Sequence, residues 1–151
     1  MKKLITLTAF VSLIALNTIA QPLVKKTAID NAIILSQADS VKSAYEKDGF
    51  LLSKSSEMMM ESNNELPVIL SLTENVNYRI VFIGENSSTA SEMKMIDFNE
   101  KQVAYKKLNG ESNIIAYDYK STATAYHMIK PMQTNKTKNE IGGYFMIFKK
   151  N

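Results

Sequence analysis

The side chains that could do chemistry in this sequence are few, and the methionines are the most conspicuous. EMMMES (57–62) places three in a row, and SEMKMIDF (91–98) adds the pair Met93 and Met95. On an extended strand Met58 and Met60 point one way and Met59 the other, while Met93 and Met95 share a face. Thioethers are soft ligands suited to Cu(I), and Met128 stands beside the single histidine, His127. A metal site would mass such groups on one exposed loop or face. These are scattered over separate candidate strands, where methionine serves as an adaptable core filler. The expected role is packing, with no metal site.

The rest of the catalytic inventory is thinner. One histidine cannot build a multi-histidine metal centre. In TATAYHMIK (122–130) His127 lies on an alternating strand, which predicts a surface or half-buried ring. No Gly-x-Ser-x-Gly elbow accompanies it. With five glycines there is no phosphate-cradling loop or dinucleotide fingerprint, and with no cysteine there is no thiol chemistry. Asp97, Glu100, Glu111 and Asp118 fall at strand ends and turns, where carboxylates are common because they are solvated. The sequence therefore predicts no catalytic residues, no cofactor and no enzyme. The candidate ligand-binding set is Tyr117, Tyr119 and Tyr126, with Tyr105 nearby. If 113–120 pairs with 123–130 as a hairpin, these rings form an aromatic strip, for docking if exposed and for core packing if buried.

The elements that must position these groups begin after a leader. MKKLITLTAFVSLIALNTIAQP has two lysines, an apolar run from Leu4 to about Leu16, and the small residues Thr18 and Ala20 before Gln21. That order predicts a signal peptide over 1–20, a periplasmic or secreted protein, and no membrane span after cleavage. Cleavage removes Lys2 and Lys3, leaving 16 basic residues against 15 acidic ones. A near-neutral chain with dispersed lysines gives no electrostatic reason to expect nucleic acid. An exported chain without cysteine must be held by burial alone.

Ile34, Ala38, Val41 and Tyr45 repeat at helical spacing, with Ala28, Asn31 and Leu35 extending the stripe. Gly49 stands where a helix would stop. This predicts a helix over about 25–47. Beyond Phe50 the texture becomes short β-branched and aromatic runs at 50–54, 57–62, 66–72, 76–84, 92–98, 101–107, 113–120, 123–130 and 143–149. Turn formers separate them, including hairpin signals at Asn99-Glu100 and Asn109-Gly110. YRIVFIG (78–84) and YFMIF (144–148) are apolar on both faces, whereas LPVILSL (66–72) alternates. A strand apolar on both faces needs a third layer, and the helix stripe is the surface available to supply it. The expected fold is mainly β with one N-terminal α-helix, an antiparallel jelly-roll-like sandwich with the helix over strands 76–84 and 143–149. The expected division is 1–20 signal peptide, 21–49 N-terminal helix, and 50–151 sandwich domain.

LTENVNYRIVFIG, MKMIDFNEKQVAYKK and GGYFMIFKK occur in an order that resembles the jelly-roll accessory domains of exported bacterial proteins, of the pre-peptidase C-terminal type. Two departures stand out: Asn75 or Asn77 occupies a usual glycine position, and acidic calcium-holding loop residues are missing. The resemblance implies a non-catalytic binding or accessory role. The expected function is thus an exported binding module contacting a glycan, peptide or envelope protein through a sheet face or the loop tips 85–91 and 133–140. The alternative is a small structural or stress-related envelope protein without a dedicated pocket.

Overall fold

A computed structural model describes residues 32–150. The expected signal peptide, and residues 25–31 of the expected helix with Ala28 and Asn31, lie outside the described residues. Helix α1 spans Ala32–Lys47. Ile34 and Ala38 are fully buried, with Val41 and Tyr45 partly buried along the same face; Leu35 falls on the exposed flank. The helix stops as its glycine dictates. Gly49 takes φ 82°, its N–H donates to Glu46 O (3.0 Å), and Phe50 N–H donates to Tyr45 O (2.9 Å). This crossed pair satisfies the last carbonyls and turns Phe50 back under the helix.

Eight strands follow: β1 Leu51–Glu61, β2 Val68–Leu72, β3 Asn77–Gly84, β4 Ala90–Ile96, β5 Gln102–Leu108, β6 Ile114–Lys120, β7 Ala125–Thr134 and β8 Glu140–Lys150. They form two antiparallel sheets, A in the order β1-β8-β3-β6 and B in the order β2-β7-β4-β5. The first strand pairs with the eighth, the second with the seventh, the third with the sixth and the fourth with the fifth. One long antiparallel hairpin rolled upon itself gives this pattern, which is the jelly roll.

Sidedness decides which sheet each strand joins. Ile80, Phe82, Ile115, Phe145 and Ile147 face sheet B across the main core, alongside Leu70, Leu72 and Ile129. On the opposite face of sheet A, Val81, Ile83, Met146 and Phe148 pack beneath Ile34 and Ala38. The helix therefore covers β3 and β8, as their two apolar faces require. Arg79 fastens the helix end. Its guanidinium lies 4.5 Å from the Tyr45 ring centroid and 4.4 Å from that of Phe50, and it donates to both Asp118 oxygens (2.6 and 3.0 Å) and to Asp48 (3.2 Å).

Three sequence expectations are corrected. Runs 50–54 and 57–62 are one strand, β1, which passes in regular register through Ser55 and Ser56 opposite Met146 and Phe145; its register along β8 shifts only between Leu52 and Lys54. Asn109-Gly110 makes no hairpin. Gly110 does take φ 78°, but it turns the chain from sheet B to sheet A, and among the described residues only β4–β5 stays within one sheet. That turn, at Asn99-Glu100, closes as expected: Glu100 takes φ 62°, and Asp97 Oδ1 accepts from the N–H groups of Asn99 and Lys101 (both 2.9 Å). Nor do 113–120 and 123–130 pair with each other. β6 has both faces covered and joins β3, while β7 alternates buried and half-open and joins β2 and β4.

Strand β7 also continues through Pro131 to Thr134. Proline in a central strand normally breaks a ladder. Here Pro131 O accepts from Leu66 N–H (3.0 Å), so the missing N–H faces the margin where β2 has already ended. The absent donor therefore falls opposite Leu66, outside the paired residues of β2.

Candidate functional site

The chemical candidates of the sequence do not gather at an open site. Met58, Met60, Met93 and Met95 meet in the main core and are buried. His127 is fully buried, at 3% exposure, instead of being the surface or half-buried ring that the strand pattern predicts. The cause is a partner from the opposite sheet: Tyr119 Oη lies 3.1 Å from His127 Nε2. Nδ1 lies 3.2 Å from Ala125 O. A carbonyl only accepts, so Nδ1 carries a proton and, in the neutral ring, Nε2 accepts from the tyrosine hydroxyl. The imidazole is a link between sheets, edge-on to Tyr119 at 5.4 Å between centroids. Among the described residues no group of three or more histidine, aspartate or glutamate side chains could hold a metal ion.

The three tyrosines separate because β6 and β7 lie in different sheets. Tyr117 and Tyr119 turn toward the main core. The Tyr117 hydroxyl is buried with no hydrogen-bond partner among the described residues, and burial raises its pKa far above the ordinary phenol value. Tyr119 is raised too, chiefly by burial. Tyr126 points outward from β7 and is 69% exposed.

Tyr126 belongs to the outer face of sheet B, over which α1 does not lie. Register places Ile69 of β2, Met128 of β7 and Ile96 of β4 in one row across three strands. Ile69 is 56% exposed, and Phe98, two residues beyond Ile96, is 59% exposed. The neighbouring rows are polar and internally paired. Glu65 receives Lys94 (2.7 Å) and Lys130 (3.1 Å); those contacts, Lys94 first, hold its carboxyl below the usual value. Glu92 receives Lys107 (2.7 Å) and the Tyr105 hydroxyl (2.9 Å), and is likewise lowered, mainly by Lys107. The face thus divides into an apolar half with an exposed ring and a half in which the charges neutralise one another.

The loop tips singled out in the sequence sit together at one end of the sandwich and are occupied with each other. Buried Gln133 donates to Gly142 O (3.0 Å), and its Oε1 accepts from Glu85 N–H (2.7 Å) and the Ser88 hydroxyl (2.9 Å). Asn135 donates to Ser87 (2.9 Å) and accepts from Thr137 and Lys138 N–H. Lys138 pairs with Glu85. A β-carbon at Gly84 would lie 2.6 Å from Gln133 Oε1, so glycine makes room for the amide. Sequence reasoning missed Gln133; the signal was a polar residue on the inward parity of His127, Ile129 and Pro131.

No family model matches the chain, and no curated protein matches it in sequence. Solved structures do align. The crystal structure of Aeromonas hydrophila PliG, a periplasmic lysozyme inhibitor of g-type lysozyme, has 6% identity and a TM-score of 0.49 over 64% of this chain and 85% of that one. A structure described as "CBM4 structure and function" has 11% identity and a TM-score of 0.40 over 64% and 74%. At these scores neither likeness bears on function.

Proposed function

We propose that this chain is a non-catalytic binding domain of an exported protein, working through the outer face of sheet B. The observation that carries the reading is the unequal treatment of the two sheets. Sheet A has its outer face roofed by α1, while sheet B leaves Tyr126 and Ile69 largely exposed beside the half-buried Met128 and Ile96, with Phe98 exposed in the turn that follows β4. Exposed apolar patches of this kind mark interaction surfaces, and an exposed tyrosine ring suits a sugar face or a protein side chain. The use of the core methionines in packing and of His127 as a link between the sheets supports binding over catalysis. Export rests on the leader-like residues 1–20; among the described residues no helix is long and apolar enough to cross a membrane. The division into 1–20 signal peptide, 21–49 helical segment and 50–151 sandwich belongs to the same proposal, as does the likeness to pre-peptidase-type accessory domains.

The test is a glycan array together with co-sedimentation on purified cell-envelope material, run on the wild type and on Tyr126→Ala/Phe98→Ala. Retention by at least one material, lost in the double variant with its melting temperature unchanged, is the expected result. Equal retention by both proteins moves the site elsewhere. No retention at all favours the alternative, a structural envelope protein without a dedicated ligand.

A further inference from the structure

We propose that the slot between β1 and β2 takes an extended acidic peptide segment, which adds as a strand to the free edge of β1. This surface lies at the margin of the sandwich, opens between the two sheets, and shares only the β2 margin, at Ile69, with the Tyr126 face. β1 ends sheet A and β2 ends sheet B on that margin. Among the described residues no main-chain hydrogen bond joins 51–56 to 68–72. The chain between them is held farther along, by the pairing of 57–61 with β8, by Asn63 N–H to Gln133 O and Leu66 N–H to Pro131 O, and by the Glu65 ion pairs with Lys94 and Lys130. Residues 51–56 are exposed throughout. A free edge of this length is normally covered or blunted.

The floor explains why the margin is open. Register puts Lys54 opposite Ile147 and Ser56 opposite Phe145, both core-facing residues. The N-terminal half of β1 therefore offers polar side chains where Met58 and Met60 close the core farther along. The result is a cleft of about 360 Å³ whose floor includes Leu70, Leu72, Tyr78 and Ile147, with Lys54 and Lys149 among the residues of its rim and no acidic residue in its lining. Neither lysine forms an ion pair among the described residues. Apolar floor, cationic rim and a strand edge unpaired among the described residues together specify the occupant. A hydrocarbon chain would fill the floor but leave the edge amides and carbonyls unpaired. A peptide strand satisfies them while its alternate side chains enter the cleft, and carboxylates answer the two lysines. The chain's own residues 23–31 carry Lys25 and Lys26 against Asp30, the wrong sign for this rim.

The test is an amide NMR titration of the full chain with a blocked octapeptide repeating leucine-threonine-glutamate-threonine, which sets leucine and glutamate on one face of a strand. Its lysine counterpart and laurate serve as the other two probes. The acidic peptide is expected to shift 51–56 and 69–73 and to slow amide exchange within 51–56. Lys54→Glu/Lys149→Glu, at two exposed positions, should weaken it by about tenfold or more and favour the lysine peptide. Equal binding of both peptides, binding of laurate alone, shifts confined to other regions, or pairing of β1 between two copies without peptide would each overturn the proposal.

Discussion

The outer faces of the two sheets are built from similar numbers of strands yet meet different surroundings. On sheet A, residues of β3 and β8 that point away from the main core are as apolar as those that point into it: Val81, Ile83, Met146 and Phe148. That face is unstable in water and takes a helix. On sheet B the outward positions of β7 and β4 are Tyr126, Met128, Lys130, Met132 and Thr134 with Ala90, Glu92, Lys94 and Ile96, a mixture that tolerates solvent. The comparison teaches that the roof follows from strand composition, and that the apolar residues left outside on sheet B are those that packing does not explain.

Substitutions can break this contrast, and the largest effect should come from the roofed face. Phe148→Ala removes a fully buried ring that meets Tyr45 edge-on at 5.1 Å between centroids; urea unfolding should show a loss of about 3–5 kcal/mol. Gly143→Ala tests the main core, because the added carbon would lie 2.7 Å from Phe82 Cε2. A cost of about 1–3 kcal/mol is expected in the same measurement. Arg79→Ala loosens the helix end, with an expected loss on the order of 1–2 kcal/mol from its aromatic contacts and partly exposed ion pairs.

The same clamp sets a pH dependence. Arg79 hydrogen bonds hold the Asp118 carboxyl below the ordinary aspartate range. A carboxyl lowered by folding contributes stability that is complete above its unfolded pKa and is lost as pH falls through the folded one. Unfolding titrations should therefore show this contribution fading below about pH 4, and Asp118→Asn should flatten that part of the acid limb. A slope left intact by Asp118→Asn would assign it to other carboxyls, Glu65 and Glu92 first. The smallest effects belong to the tyrosines. Tyr117→Phe deletes a buried hydroxyl that has no partner among the described residues and should leave stability unchanged or raise it by up to about 1 kcal/mol. Tyr126→Ala, on the open face, should stay within about 0.5 kcal/mol.

Much of the layered fold was legible because it is written in local periodicity. The Ile34-Ala38-Val41-Tyr45 stripe, the stop at Gly49, the two-faced strands β3 and β8, and the alternation of Leu66, Val68, Leu70 and Leu72 each depend on neighbours a few residues away. What was hidden depends on distant pairing. Asn109-Gly110 has the chemistry of a hairpin turn, and only the sidedness of β6 sends it to the other sheet. The fates of Tyr117, Tyr119 and Tyr126 follow from that choice, as does the burial of His127 against a tyrosine of the opposite sheet. The inward parity of Lys54 emerges only from the shifted register with β8.

The contrast between the faces is tested most directly by the methionines on them. Under mild peroxide oxidation followed by mass spectrometry, Met128 and Met132 on sheet B should oxidise rapidly. Met146 beneath the helix, at 0% exposure, should resist until the chain unfolds. Oxidation of Met146 at the rate of Met128 would show that the helix does not roof sheet A, and would contradict the account.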